Sequence, residues 1–301
     1  MQYLYFALAI CAFVIPLLFL TFYRWYQARK NKRAPFTDSF LRSSGQSLYE
    51  QIQALSEEIS SNTSIVVIIP LFILTPAFIF KLHLFYYFII MLFFESFYFI
   101  KLWKQLNKRR ALRLGYDGEV AVGQELNLLM LDGYHVFHDL VSDTITKYNI
   151  DHIVVGRSGV YAVETKTRSK SSDKKGNKSY TVVFDGASLI FPRYTDTSSL
   201  KQARINAIWL QKWLTSAVGE QVNVEAILTI PGWFVERKSA PRGVNVLSPK
   251  EIKTFLKNKK ETPLSENMVQ RIVHQLDRVC RDVEPITVQI EKEDRKKIEG
   301  S

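Results

Sequence analysis

The sequence predicts an α/β domain, a mixed sheet flanked by helices, preceded by three transmembrane α-helices. Three observations lead there. The stretch 149–166, NIDHIVVGRSGVYAVETK, alternates apolar and polar residues on both sides of Gly156-Arg157-Ser158-Gly159, the pattern of two half-buried strands joined by a tight turn. Residues 3–23 and 65–100 are almost uninterrupted apolar sequence, and from residue 117 onward segments of helical and of strand periodicity alternate. A chain of 301 residues accommodates all of this: the membrane part in front, and one globular domain of about 190 residues behind it.

The segment 1–23 is the first predicted span. About 20 apolar residues, rising 1.5 Å each, cross a hydrocarbon core of about 30 Å. Only Met1 and Gln2 precede the run, whereas Arg24, Arg29, Lys30, Lys32 and Arg33 follow it. A cleaved signal peptide carries its positive charge in front, so a retained anchor is expected. Residues 24–63 form a basic and amphipathic cytoplasmic linker. Within it, over 38–61, Phe40, Leu41, Leu48, Ile52, Leu55 and Ile59 recur at helical spacing. That helix lies on the bilayer or on the following domain, or it pairs with a second copy in a homo-oligomer; the sequence leaves these open.

Residues 64–100 are expected to form a helical hairpin whose spans, 65–80 and 84–100, are separated by Lys81-Leu82-His83. Pro70 and Pro76 kink the first span without forbidding it. Glu95 is costly in lipid and should face protein or a cation. The stretch 24–33 holds five basic and no acidic residues, and the juxtamembrane segment 101–113 holds six and none, so both are expected in the cytoplasm. The N-terminus and the 81–83 turn then lie outside, and the protein is a multi-pass cell-membrane protein with its domain in the cytoplasm. The same two stretches account for the whole net charge of +11, from 40 basic and 29 acidic residues. Bulk basicity therefore speaks for topology and contact with the lipid bilayer, not for nucleic acid.

The domain, 114–285, opens with a helix over 117–131, started by Gly115 and Asp117 and buried through Val122, Leu126 and Leu129. Glu119 projects from its apolar face and wants a partner, unless it serves the helix N-terminus through the dipole. A strand over 134–140 follows, then the hairpin. With 156–159 as the loop, Val155 faces Val160, Ile153 faces Ala162, and Asp151 faces Glu164. Like charges directly opposed weaken a sheet. Two carboxylates beside Lys166 on one face are, however, suited to holding a hard divalent cation, with the lysine orienting water. The alternative is a Glu-Lys ladder on a solvated face. Beyond it, 169–179 is a lysine-rich surface loop able to meet phosphates, and 180–184 with 188–191 bracket the hairpin turn Asp185-Gly186. A helix over 198–217 carries Gln202, Ile205 and Trp209 on one face. Strands over 222–230 and 244–247, helices over 249–256 and 266–283, a short strand over 286–290 and a charged tail, within 286–301, complete the chain.

Other chemistries find no support. Cys11 and Cys280 suggest neither a disulfide nor a zinc site, and His135, His138 and His152 match no common zinc spacing. No P-loop, dinucleotide fingerprint or nucleophile elbow is present, so no nucleotide cofactor is expected.

The segments GYDGE, IDHIVVG and GVYAVETK, within 115–166, resemble the nuclease-related domain (NERD) family of the PD-(D/E)XK nuclease-like superfamily. The resemblance implies a restriction-endonuclease-like core. It also implies catalytic roles for Asp151, Glu164 and Lys166, a further acidic ligand from Glu119, and an assisting role for Gln202, which matches the family's Q-A element within LKQARINAIWLQKWL. Asp196-Thr197-Ser198-Ser199 replaces the usual asparagine-proline lead-in of that element. The implied function is a membrane-anchored, cytoplasm-facing nuclease that hydrolyses phosphodiester bonds of DNA, or alternatively of RNA. It would use Mg²⁺ or Mn²⁺ held by Asp151, Glu164 and Glu119. From a different class comes a catalytically inactive, membrane-tethered nucleic-acid-binding or signalling module of the same fold. A lipid or transport protein fits less well, since apart from Glu95 the spans lack polar residues.

Overall fold

The computed structural model describes residues 38–79, 84–142, 148–170, 180–259 and 263–286, with isolated positions in the N-terminal stretch and the C-terminal tail. The first predicted span, the 81–83 turn, most of the 169–179 loop and most of the tail lie outside the described residues. The chain divides into two units, 1–41 with 281–301, and 42–280. In the first, Phe40 and Val283 form an isolated bridge, with N–O distances of 2.7 and 3.1 Å. The strand expected over 286–290 is not found there: Ile286, Val288 and Gln289 are helical, and the Val288 and Gln289 amides donate to Pro285 O. Proline fixes φ and lacks an N–H, which suits the first turn of a helix.

The second unit begins with two long helices, α1 (Gln46–Ile79) and α2 (Leu84–Asn127), which pack against each other. A ladder of side chains fixes their register. Asn62 Nδ2 donates to Gln105 Oε1 at 2.8 Å, Gln105 Nε2 donates to Glu58 Oε2 at 3.0 Å, and Lys101 Nζ donates to Asn62 Oδ1 at 3.2 Å. Asn62 and Gln105 are buried, so losing one partner would strand the other. Two expectations change here. The amphipathic helix begins at Gln46, not near residue 38, and runs on without a break into the apolar segment. The basic segment 101–113 and the helix from 117 are likewise one continuous helix with the apolar run 84–100.

Three transmembrane helices are not found among the described residues. One helix, Phe85–Asp132, is long and apolar enough to cross a membrane, by length and composition. The described apolar part of α1, 65–79, falls short of the roughly 20 residues that a bilayer demands. Phe85, Phe88, Ile89, Phe93, Phe97 and Ile100 are exposed, as a lipid-facing surface would be.

A 3-10 turn, Leu128–Asp132, ends at Gly133 (φ 84°) and leads into the sheet. Its strands stand in the order β1 (His135–Val141), β2 (Asn149–Gly156), β3 (Gly159–Thr165), β7 (Val224–Thr229) and β9 (Asn245–Leu247). The first three pair antiparallel, while β3, β7 and β9 pair parallel, giving a mixed sheet. A second, smaller sheet has the order β6 (Thr195–Asp196), β5 (Leu189–Ile190), β4 (Thr181–Phe184) and β8 (Phe234–Arg237). The main sheet is buried on both faces. Ile153, Val155, Val160 and Ala162 pack on the side of α3 (Ser198–Val218) and α5 (Glu266–Cys280). Val154, Tyr161 and Val163 pack with Val122 and Leu126 of α2 and with Ile252 and Leu256 of α4 (Pro249–Lys257). The alternating, half-buried strands expected here are therefore not what forms: with both faces covered, β2 and β3 are buried along nearly their whole length, Asn149 and Gly159 alone being half-buried.

The central hairpin has the expected register, Val155↔Val160 and Ile153↔Ala162, but Gly156 and Gly159 also pair. The turn is therefore the two residues Arg157 and Ser158, and Gly159 (φ 135°) takes a backbone conformation that residues with a Cβ avoid.

Glycine explains why one helix was read as two. Gly115 and Gly118 look like punctuation in the sequence, yet both lie within α2 and mark close approaches. A Cβ at Gly118 would sit 1.7 Å from Thr167 Oγ1, whereas one at Gly115 would meet only the tip of Leu48, at 3.2 Å. Alanine is favoured over glycine inside a helix by about 1 kcal/mol, and overpacking costs about 1–3 kcal/mol. Gly118→Ala should therefore lower the melting temperature of the full chain in detergent, while Gly115→Ala leaves it nearly unchanged. Equal effects of the two in a fluorimetric melt would contradict this packing.

Candidate functional site

Strands β2 and β3 bring Asp151 and Glu164 to one end of the main sheet, on the face covered by α3, and α2 brings Glu119 from the opposite layer. Their exposures are 5%, 2% and 7%, so a Glu-Lys ladder on a solvated face is not what forms. Glu119 lies deep inside α2, far from its N-terminus at Leu84, so the helix dipole does not account for it either.

The scaffold supplies partners unevenly. Asp151 Oδ2 accepts the Thr165 amide at 2.7 Å. Glu164 Oε2 accepts from Asn206 Nδ2 at 2.8 Å, and Lys166 Nζ stands 2.6 Å from Glu164 Oε1. Glu119 Oε2 is buried without a hydrogen-bond partner. Burial raises the pKa of Glu119 to about 8, helped by the negative charges of Asp139 and Glu164 and opposed by Lys166. Burial also holds Asp151 well above the usual carboxylate range; Glu164 and Glu119 push it further, and the Thr165 amide and Lys166 pull back. Glu164 is raised by burial, against the restraining effects of Lys166 and Asn206.

Among the described residues, no group of three or more His, Cys, Asp or Glu side chains is already arranged to hold a metal ion. The donor chemistry nevertheless fits a hard cation. The site offers carboxylate oxygens, one of them orphaned, in surroundings where positive charge is scarce.

The sequence pointed to Gln202, but Asn206, one turn further along α3, reaches Glu164; Gln202 is exposed. Asn206 also donates to Asn149 O at 2.9 Å, tying the start of β2 to the same point. A signal for it existed: Asn206 is the polar residue in the stripe Ala203, Ala207, Leu210 and Leu214. Of the three histidines named from the sequence, His138 and His152 face the α2 side and pair with each other, while His135 does not join them. His138 Nδ1 and His152 Nδ1 are 2.9 Å apart, His138 Nε2 is 3.0 Å from Asn127 Oδ1, and His152 Nε2 is 3.2 Å from Thr165 Oγ1. With Asn127 Oδ1 accepting, His138 donates through Nε2 and accepts through Nδ1 from His152, and Thr165 donates to His152. Both rings are neutral in this chain of bonds. Burial lowers the pKa of His138 to about 4 and, with His138 beside it, lowers that of His152 well below its ordinary value.

Residues 114–231 match the family model of the nuclease-related domain. Glu119, Asp151, Glu164, Lys166, Gln202 and Asn206 all fall inside the match. No curated protein and no solved structure matches the chain.

Folded Glu119 keeps its proton to about pH 8, whereas an unfolded glutamate releases it near pH 4.5. Between those values the folded state binds more protons, so stability falls as pH rises. His138 and His152 act in the opposite sense: they are neutral when folded and protonated when unfolded below about pH 6.5, so they cost stability as pH falls. Melts of the full chain in EDTA should therefore show stability declining between about pH 6.5 and 8, and Glu119→Gln should flatten the decline. A flat or rising profile for the unsubstituted chain would contradict the buried carboxyl cluster.

Proposed function

We propose that this chain is a membrane-anchored nuclease whose nuclease-related domain faces the cytoplasm and hydrolyses phosphodiester bonds of DNA. The observation that carries the reading is the convergence of three buried carboxyl groups with Lys166 at one end of a mixed sheet, inside the matched domain. Support for the anchor comes from the exposed apolar surface of 84–100, and support for the orientation from the six basic residues that follow it.

Asp151, Glu164 and Glu119 would hold Mg²⁺ or Mn²⁺. Such a cation supplies a bound water of lowered pKa and neutralises charge on the phosphate. The rest is the work of the chain. Lys166 donates towards the attacking oxygen or the developing negative charge, where a positioned ammonium in a dry site is most effective. Asn206 holds one oxygen of Glu164, and the Thr165 amide holds one oxygen of Asp151, so neither carboxylate swings away as charge moves. Two flanking layers exclude bulk water.

A tethered module without turnover is the competing reading, and the Lys166–Glu164 contact favours it, because it occupies a carboxylate oxygen that a metal would need. A cleavage assay separates the two. The full chain in detergent micelles is given linear, circular and single-stranded DNA, and RNA, with Mg²⁺, Mn²⁺ or EDTA. Metal-dependent cutting is expected, reduced at least about 100-fold in Asp151→Asn, Glu164→Gln and Lys166→Ala. A folded chain that cuts nothing, and whose melting temperature Mn²⁺ does not raise, would leave the tethered module.

A further inference from the structure

We propose that residues 42–47, the segment that leads into α1 together with the first two residues of that helix, form a strap that positions Glu119, with Arg42 and Asp139 as its fastening. The functional unit then begins at Arg42 rather than where the family match begins. The kinetic part of this inference rests on the nuclease reading.

The strap is anchored at both ends. The Arg42 amide donates to Cys280 O at 2.8 Å. Asp139 Oδ2 accepts from Arg42 Nε (2.9 Å), Arg42 Nη2 (2.7 Å), the Ser47 amide (2.7 Å) and Ser47 Oγ (2.8 Å). The Arg42 side chain is 8% exposed and that of Asp139 0%. A buried charge pair is held this tightly only where geometry rewards it, since apolar packing of similar volume is often as stable. The backbone points the same way. Asp139 has φ 54°, the only positive value at a non-glycine among the described residues, and the β1–β2 register passes from His138↔His152 to Leu140↔Ile150 around it. Strain of this kind persists where the surroundings over-determine it.

Between its anchors the strap touches the turn of α2 that carries Glu119. Ser44 Oγ donates to Glu119 O at 2.6 Å, and a Cβ at Gly123 would sit 2.5 Å from that hydroxyl, so glycine there makes room for it. A Cβ on Gly45 (φ 74°) would meet the Tyr116 ring at 2.9 Å and lie 3.6 Å from Glu119 Oε2. That oxygen has no hydrogen-bond partner among the described residues. The strap therefore holds Glu119 at its backbone, through Ser44, whereas Asn206 and the Thr165 amide hold the other two carboxyl groups at their oxygens.

The test uses the full chain in detergent micelles, with hydrogen exchange over 116–122 and steady-state cleavage of linear double-stranded DNA in Mg²⁺. In Arg42→Ala, exchange over 116–122 should rise at least tenfold while that of 206–214 holds. The value of kcat should fall at least tenfold, with KM within twofold. Arg42→Lys should restore most of both. The double variant Arg42→Met/Asp139→Asn removes both charges, and should regain the melting temperature but neither the exchange protection nor kcat. Glu50→Ala removes the outer 3.7 Å contact of Arg42 and the 3.0 Å bond from Gln46 Nε2, neither of which reaches Asp139 or Glu119, and should leave exchange over 116–122 and kcat unchanged. Unchanged exchange over 116–122 in Arg42→Ala would overturn the strap, as would full recovery of exchange and kcat in the double variant. Should the unsubstituted chain cut nothing, the nuclease reading fails, and the exchange measurements still decide the strap.

Discussion

Burying three carboxyl groups in one place is the constraint to which the rest of the 42–280 unit answers. Desolvation is the largest cost for each of them, and mutual repulsion adds to it for Asp151 and Glu119. A sheet exposed on one face could have turned these side chains to water. This one cannot, because α3 and α5 cover one face of β2 and β3, and α2 and α4 cover the other. The scaffold answers with one ammonium, one side-chain amide and one backbone amide, and it leaves Glu119 Oε2 without a donor. Stability is given up locally, as is common where local rules yield to function.

What the sequence showed of this arrangement was what neighbouring residues encode. Two glycines three positions apart set the hairpin register, and the register in turn put Asp151 and Glu164 at the same end of the sheet; both follow from the period of two along a strand. Features that depend on distant partners were not legible. Gly115 and Asp117 look like a helix start, and only Leu48 and Thr167, packed against Gly115 and Gly118, show why a helix carries these glycines in its interior. Arg42 and Asp139 are 97 residues apart, and nothing local in either segment announces the pair. Strands β6 and β8, of two and four residues, are too short to show a period. Gln202 and Asn206 differ by one helical turn, and the Q-A resemblance selected the residue on the exposed side of that turn.

Continuity of α2 has a mechanical meaning that separate segments would lack. From residue 100, where the apolar run ends, to Glu119 the helix rises about 28 Å without a break. Glycine weakens a helix, but the two in this stretch, Gly115 and Gly118, and Gly123 one turn beyond Glu119 are each filled by a neighbour, from α1, from the segment after β3 and from the strap. The Asn62–Gln105 ladder locks α1 to α2 along the same length. A displacement of either helix along its axis is thus passed to the turn that bears Glu119, because no hinge lies between them.

Glu164 shows how such a site accommodates a change of counter-charge. Its Oε2 is fixed by Asn206, which is itself fixed to Asn149 O, while its Oε1 faces the ammonium of Lys166. On the proposed reading, Oε1 is the oxygen that Mg²⁺ or Mn²⁺ would share, and Asn206 holds the carboxylate through Oε2 whichever positive charge stands at Oε1. Lys166 is on a segment that leaves the sheet: its amide is held by Thr229 O at 2.9 Å, and its side chain is partly open to solvent. The backbone is anchored and the side chain is held at its tip by Glu164 Oε1, so the long stem lets the ammonium turn from Glu164 and still remain within the site. A lysine two residues after the glutamate meets both demands, since it shares the strand face and yet reaches beyond the end of the strand.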